Sequence, residues 1–150
     1  MTHEFFMQKA LQQAQMAYEE GEIPVGALVV ANGQILAQAH NQTERLNDVT
    51  AHAEILAITA ATQALGGKYL QNCTLYVTLA PCLMCAGALF WAQPHTIVYG
   101  ADDDKRGFTL YQNLSRKDGR ILHPKTQVIS GILENDCKEI LTKFFQRLRN

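Results

Sequence analysis

Two short segments thirty residues apart, His52-Ala53-Glu54 and Pro81-Cys82-Leu83-Met84-Cys85, carry one imidazole, two thiols and one carboxylate. If these groups act together, the fold must bring both segments to one point. Residues three apart on a helix share a face, so a helix from about Cys82 to Ala92, with Pro81 suited to its first position, lets Cys82 and Cys85 chelate one ion. The N–H groups and partial positive charge of a helix N-terminus, together with a metal, favour thiolate over thiol. His52 stands near the start of a second helical stretch, Ala51 to Leu65, which is alanine-rich and stopped by Gly66-Gly67, and it supplies the third ligand. On a regular helix Glu54 points well away from the face of His52, so it reads as a carboxylate that reaches a metal-bound water and not the metal.

One imidazole and two thiolates leave the fourth position of a tetrahedral zinc ion open to water, whose pKa falls to ~7 at the metal. One Zn2+ per chain is therefore expected. A nearby glutamate can take the proton of that water and hand it to a leaving nitrogen, which is the logic of hydrolytic deamination and the pattern known from zinc-dependent nucleobase deaminases. The competing readings are a redox dithiol and a structural zinc site. The first would follow a thioredoxin-like pattern and the second would need a fourth Cys or His at chelating distance, and neither is evident. Cys73 and Cys137 are isolated and read as buried free thiols.

The chain of 150 residues, 47% hydrophobic and 18% charged, reads as a single domain over residues 1–150 with a real core. No apolar run approaches the ~20 residues of a membrane span, and the N-terminus leads directly into an amphipathic helix, so a reducing cytoplasm is expected. Phe6, Ala10, Ala14, Ala17 and Tyr18 recur at helical spacing up to Gly21. Val25 to Val30 and Ile35 to His40 read as strands joined by the hairpin signal Asn32-Gly33, and Leu75 to Leu79 and Thr96 to Tyr99 as short apolar strands. A loop-rich stretch precedes a fifth strand, Gln127 to Ile132. Cys137, Ile140, Leu141, Phe144 and Leu148 then mark a last helix. Strands alternating with helices predict a three-layer α/β/α sandwich around a five-stranded mixed sheet, with both ligand segments opening helices at one edge.

The chain is identified on these motifs as a member of the cytidine deaminase-like superfamily, and within it most resembles bacterial tRNA-specific adenosine deaminases. The resemblance runs through Gly21 to Ala27, His40-Asn41, Thr50 to Glu54, Cys73 to Leu79, Pro81 to Gly87, and Gly131 to Glu134 on to Phe144-Phe145. It implies that His52, Cys82 and Cys85 bind zinc, that Glu54 is the proton shuttle, that Asn41 hydrogen-bonds the target base and that Asp103 lies close to RNA. It also implies a tRNA anticodon loop as substrate and a homodimer. An asparagine after a strand has a plainer use, as a turn residue satisfying its own backbone. Ala80 departs from the family pattern, which has Glu before Pro-Cys, and Asp102 to Phe108 follows it only in part.

The overall charge of −1 hides an asymmetry. Residues 105–150 hold ten Lys and Arg against four Asp and Glu, net +6, whereas residues 1–104 hold three against ten, net −7. Arg116, Lys117, Arg120, Lys125, Arg147 and Arg149 either line a phosphate-binding path or form solvated faces. Two rival functions stand beside the tRNA reading: a deaminase of a free base or nucleoside, guanine first, and a non-catalytic RNA-binding subunit with structural zinc. Glu54 argues against the second, since a structural site has no use for a carboxylate beside an open position.

Overall fold

The computed structural model describes residues 1–114 and 119–150. Helix α1 (His3–Glu19) begins earlier than its apolar periodicity, because Thr2 caps it: the hydroxyl oxygen accepts from the Phe5 N–H at 3.0 Å. The hairpin of β1 (Gly26–Ala31) and β2 (Gln34–His40) turns at Asn32 (φ 51°) and Gly33 (φ 74°), the pair of positive angles that a two-residue loop between twisted strands requires. Next come α2 (Ala53–Leu65), β3 (Thr74–Leu79), α3 (Leu83–Ala92) and β4 (Thr96–Ala101). A 3-10 helix, Phe108–Leu114, interrupts the stretch expected to be loop, and β5 (Gln127–Ile129) and α4 (Glu134–Arg149) complete the order.

Three boundaries correct the sequence reading. The fifth strand stops at Ile129, because Gly131 takes φ +82° and turns the chain toward α4. Helices α2 and α3 start at Ala53 and Leu83, so His52 and Cys82 precede them, and Pro81 lies one residue before the cap of α3 and not at its first position.

The sheet order is β2-β1-β3-β4-β5, with β1 antiparallel to both neighbours and β3, β4 and β5 parallel. Alternation along the strands divides the core into two layers. Ala27, Val29, Leu75, Val77, Ile97 and Tyr99 face α2 and α3, meeting Ala57, Ala61, Ala86 and Leu89. Leu28, Val30, Tyr76 and Val98 face the other way, against Phe6, Met7 and Ala10 of α1 and Cys137 of α4. This is the three-layer α/β/α sandwich with a five-stranded mixed sheet. Among the described residues no helix is long and apolar enough to cross a membrane.

Small residues let the outer layer approach closely. A Cβ on Gly26 would press into the Ala10 carbonyl oxygen and lie 2.6 Å from the Ala14 nitrogen, so α1 rests directly on the backbone of β1. Gly26→Ala should therefore lower stability by about 1–3 kcal/mol through overpacking. Gly67→Ala, where the added methyl meets nothing within 4 Å, should stay within about 0.5 kcal/mol of the parent. Urea unfolding of the two variants checks both values.

Candidate active site

His52 is the N-cap of α2 (φ −75°, ψ 153°) and Cys82 the N-cap of α3 (φ −72°, ψ 175°), both in extended conformation. Two helix N-termini thus open on the same place, beyond the carboxyl end of β3. The His52 Nδ1 lies 3.7 Å from the Cys82 Sγ and 3.5 Å from the Cys85 Sγ, and the three donor atoms all lie within 4.8 Å of one another. Around a tetrahedral ion with metal–sulfur and metal–nitrogen bonds of roughly 2.3 and 2.0 Å, donor atoms stand about 3.5–3.8 Å apart. The donor set therefore fits a tetrahedral metal ion, with Nδ1 as the imidazole ligand atom. Because His52 is extended, the expected divergence of Glu54 from it along a regular helix does not apply. Glu54 is 4% exposed, and its carboxyl hydrogen-bonds the Cys85 thiol.

The electrostatics of this cluster follow from crowding negative groups in a buried place. The Cys85 thiol, bonded to the Cys82 sulfur, is the largest influence holding the Cys82 thiol down at about 3; burial opposes this and His52 assists. Cys85 is pushed strongly upward, first by that same bond to the Cys82 sulfur, then by burial and by the charge of Glu54. His52 is raised chiefly by its bond to Cys82. Burial is also the main cause that pushes Glu54 up to about 7, with the Cys82 charge adding to it and its own backbone N–H opposing. Cys82 is thus the sulfur that gives up its proton readily and Cys85 the one that holds it, and a dication bound by both would supply the charge that lets Cys85 ionise too.

Asn41 and Asp103 lie in the segments that hold this centre. The Asn41 Oδ1 accepts from the Ala53 N–H at 2.8 Å and its Nδ2 donates to the Ile23 carbonyl at 3.1 Å, while its own N–H bonds the Val25 carbonyl. Asn41 thereby fixes the first helical residue between His52 and Glu54. The Asp103 Oδ1 accepts from the N–H groups of Lys105 and Arg106, shaping the turn that brings Gly107 into a bridge with Cys82 and Phe108 N–H to the Pro81 carbonyl. Ala80, buried, donates its N–H to the Ala101 carbonyl.

The basic residues divide. Arg116 and Lys117 lie outside the described residues. Arg120 donates to the carbonyls of Thr126 and His123, and the Arg147 guanidinium stacks 4.1 Å over the Tyr18 ring and bonds the Tyr18 carbonyl. Lys125 and Arg149 are exposed. Sequence reasoning gave no role to Glu22, which the structure buries beneath the segment leading to His52; its only signal was an acidic residue two positions before a proline, between helix and strand.

The MafB19-like deaminase family model matches residues 1–149. The tRNA-specific adenosine deaminase of Bacillus subtilis (strain 168) is 44% identical over 147 residues, covering 97% of this chain and 90% of that protein. That of Aquifex aeolicus (strain VF5) is 42% identical over 150 residues, covering 100% and 98%. The chain belongs to this deaminase family. A structure from a study of A-to-I editing by tRNA:A34 deaminases at the wobble position of transfer RNA superposes on this deaminase with a TM-score of 0.84 at 42% identity, covering 91% of this chain and 99% of that one.

The deaminase site makes separable demands on its residues. Cys85→Ala should abolish stoichiometric metal, whereas Glu54→Ala, which removes no donor atom of the cluster, should retain it; elemental analysis of the purified variants decides. Ala80→Glu should leave metal content intact while altering turnover, since Ala80 shapes the approach to Cys82 without supplying a donor.

Proposed function

We propose that this protein hydrolytically deaminates adenosine to inosine at the wobble position of a tRNA anticodon, as one domain carrying one zinc ion on His52, Cys82 and Cys85. The carrying observation is the tetrahedral spacing of one imidazole nitrogen and two sulfurs with a buried carboxylate against them. A mixed nitrogen–sulfur set of three is what catalytic zinc takes, and the full-length likeness to proteins named tRNA-specific adenosine deaminases supplies the substrate class. When bound, zinc supplies a Lewis acid that brings the pKa of water to ~7.

The residues of the chain do the rest. The Glu54 carboxylate takes a proton as water adds to the ring carbon bearing the amine, and returns it to the departing nitrogen, so that ammonia leaves and inosine remains. Asn41 is already engaged through one lone pair and one N–H, which leaves its second lone pair and second N–H to meet the edge of the base. Asp103 uses Oδ1 on its own turn and keeps Oδ2 for a ribose hydroxyl of the loop. Flipping an unpaired base out of an anticodon loop costs only a few kcal/mol.

The active form is a homodimer. Leu83, Met84 and Trp91 (72% exposed) stand out on α3, and a Cβ on Gly87 would meet nothing, so the outer side of this apolar helix is open to a second copy. A reducing cytoplasm suits the four free cysteines.

The test is an incubation of zinc-loaded protein with an anticodon stem-loop bearing wobble adenosine, read by mass spectrometry beside Glu54→Ala. Inosine from the parent alone is expected, with stem-loop binding that weakens steeply as salt rises. Product absent from folded, zinc-replete parent protein would turn the assignment to a free base or nucleoside, with guanine tested next. Sedimentation should give a dimer that Trp91→Glu splits.

A further inference from the structure

We propose that Glu22 is a positioning residue that fixes the rim of the substrate entrance independently of the catalytic centre; this rests on the tRNA deaminase reading for its kinetic part. Glu22 is 1% exposed, and among the described residues no cation is paired with it. Burying a carboxylate is costly unless strong donors surround it. All three of its donors come from one short stretch: the Thr43 hydroxyl at 3.3 Å and the Glu44 N–H at 3.1 Å on Oε1, and the Arg45 N–H at 2.9 Å on Oε2. That stretch opens the connection between β2 and α2, the helix whose cap is His52.

The connection has two parts held by separate bonds. Its neck is closed by Asn41 to Ala53, Ile23 and Val25, and by the Gln42 N–H on the Ala51 carbonyl. The His40 ring, between Gln13 and Glu20, steadies the strand end next to it. The rim, from Thr43 to Thr50, exposes Leu46 and Val49 (84%) in the segment that leads into the metal-donor histidine. Local bonds shape it, Leu46 N–H to Gln42 and Asp48 N–H to Thr43, and the buried anchor to the body at its first turn is Glu22; the Arg45 side chain adds only a largely exposed ion pair to Glu20 at 3.6 Å, which contributes little. Removing that anchor loosens the rim while the neck keeps His52 and Glu54 in place. Substrate capture suffers and chemistry does not.

Glu22→Gln keeps the volume but has a single acceptor oxygen, so its NH2 faces at least one backbone N–H that the carboxylate had satisfied. Zinc content and kcat on the stem-loop should match the parent within about twofold, KM should rise about three- to tenfold, and amide exchange should quicken at Glu44 and Arg45 but not at Ala53. Thr43→Val, which removes the weakest of the three bonds, should shift KM in the same direction by less, and it serves as the test if Glu22→Gln does not fold. A fall in kcat or zinc content with unchanged KM, or exchange quickening at Ala53 together with Glu44, would overturn the proposal. A parent protein that makes no inosine would sink the substrate reading alone, and the exchange pattern would still decide the anchoring.

Discussion

Two backbone caps, His52 and Cys82, have to open toward each other for this molecule to have a site at all. Each residue is extended and each begins a helix, so the donor atoms sit where backbone N–H groups converge and negative charge is least costly. Neither helix could hold that position alone. Helix α3 is the crossover that joins the parallel pair β3 and β4, and α2 packs on β1 and β2, so the antiparallel and parallel halves of the mixed sheet each deliver one cap. The close seating of α1 on Gly26 and of Cys137 on Gly100 fixes the opposite face of the same strands.

The layered fold was legible because each strand alternates two apolar faces and each helix carries its own period. What eluded the sequence was local. The run Val128-Ile129-Ser130-Gly131-Ile132 reads as one strand until a positive φ at Gly131 breaks it. Phe108, Tyr111 and Leu114 recur every third residue, a period that suits a 3-10 turn and falls between the strand and α-helix templates. The helix starts were off by two residues at α2 and by one at α3, since a helical pattern does not say whether its first members are inside the helix or just before it.

The site was legible in its donors and obscure in its scaffolding. His52, Cys82 and Cys85 carry chemistry in their side chains, so their identity and spacing speak directly. Glu22 works through backbone N–H groups of another segment and Asp103 through those of its own turn, and such partners have no residue type to betray them. Asn41 belongs to both classes: the resemblance implied a contact to the base, and the coordinates add bonds to Ala53 and Ile23.

That double engagement of Asn41 makes the end of β2 and the start of α2 parts of one thermodynamic system. Any ligand edge that meets the Asn41 amide must share it with the first N–H of α2 and with the carbonyl of Ile23. A partner that accepts the second Nδ2 hydrogen makes Oδ1 more negative and strengthens its bond from Ala53, whereas a donor drawn to Oδ1 competes with the Ala53 N–H for it. A ligand held by the Asn41 amide would therefore be coupled to the start of α2, and by reciprocity a sequence change that frays that start would alter the grip on the ligand without touching it.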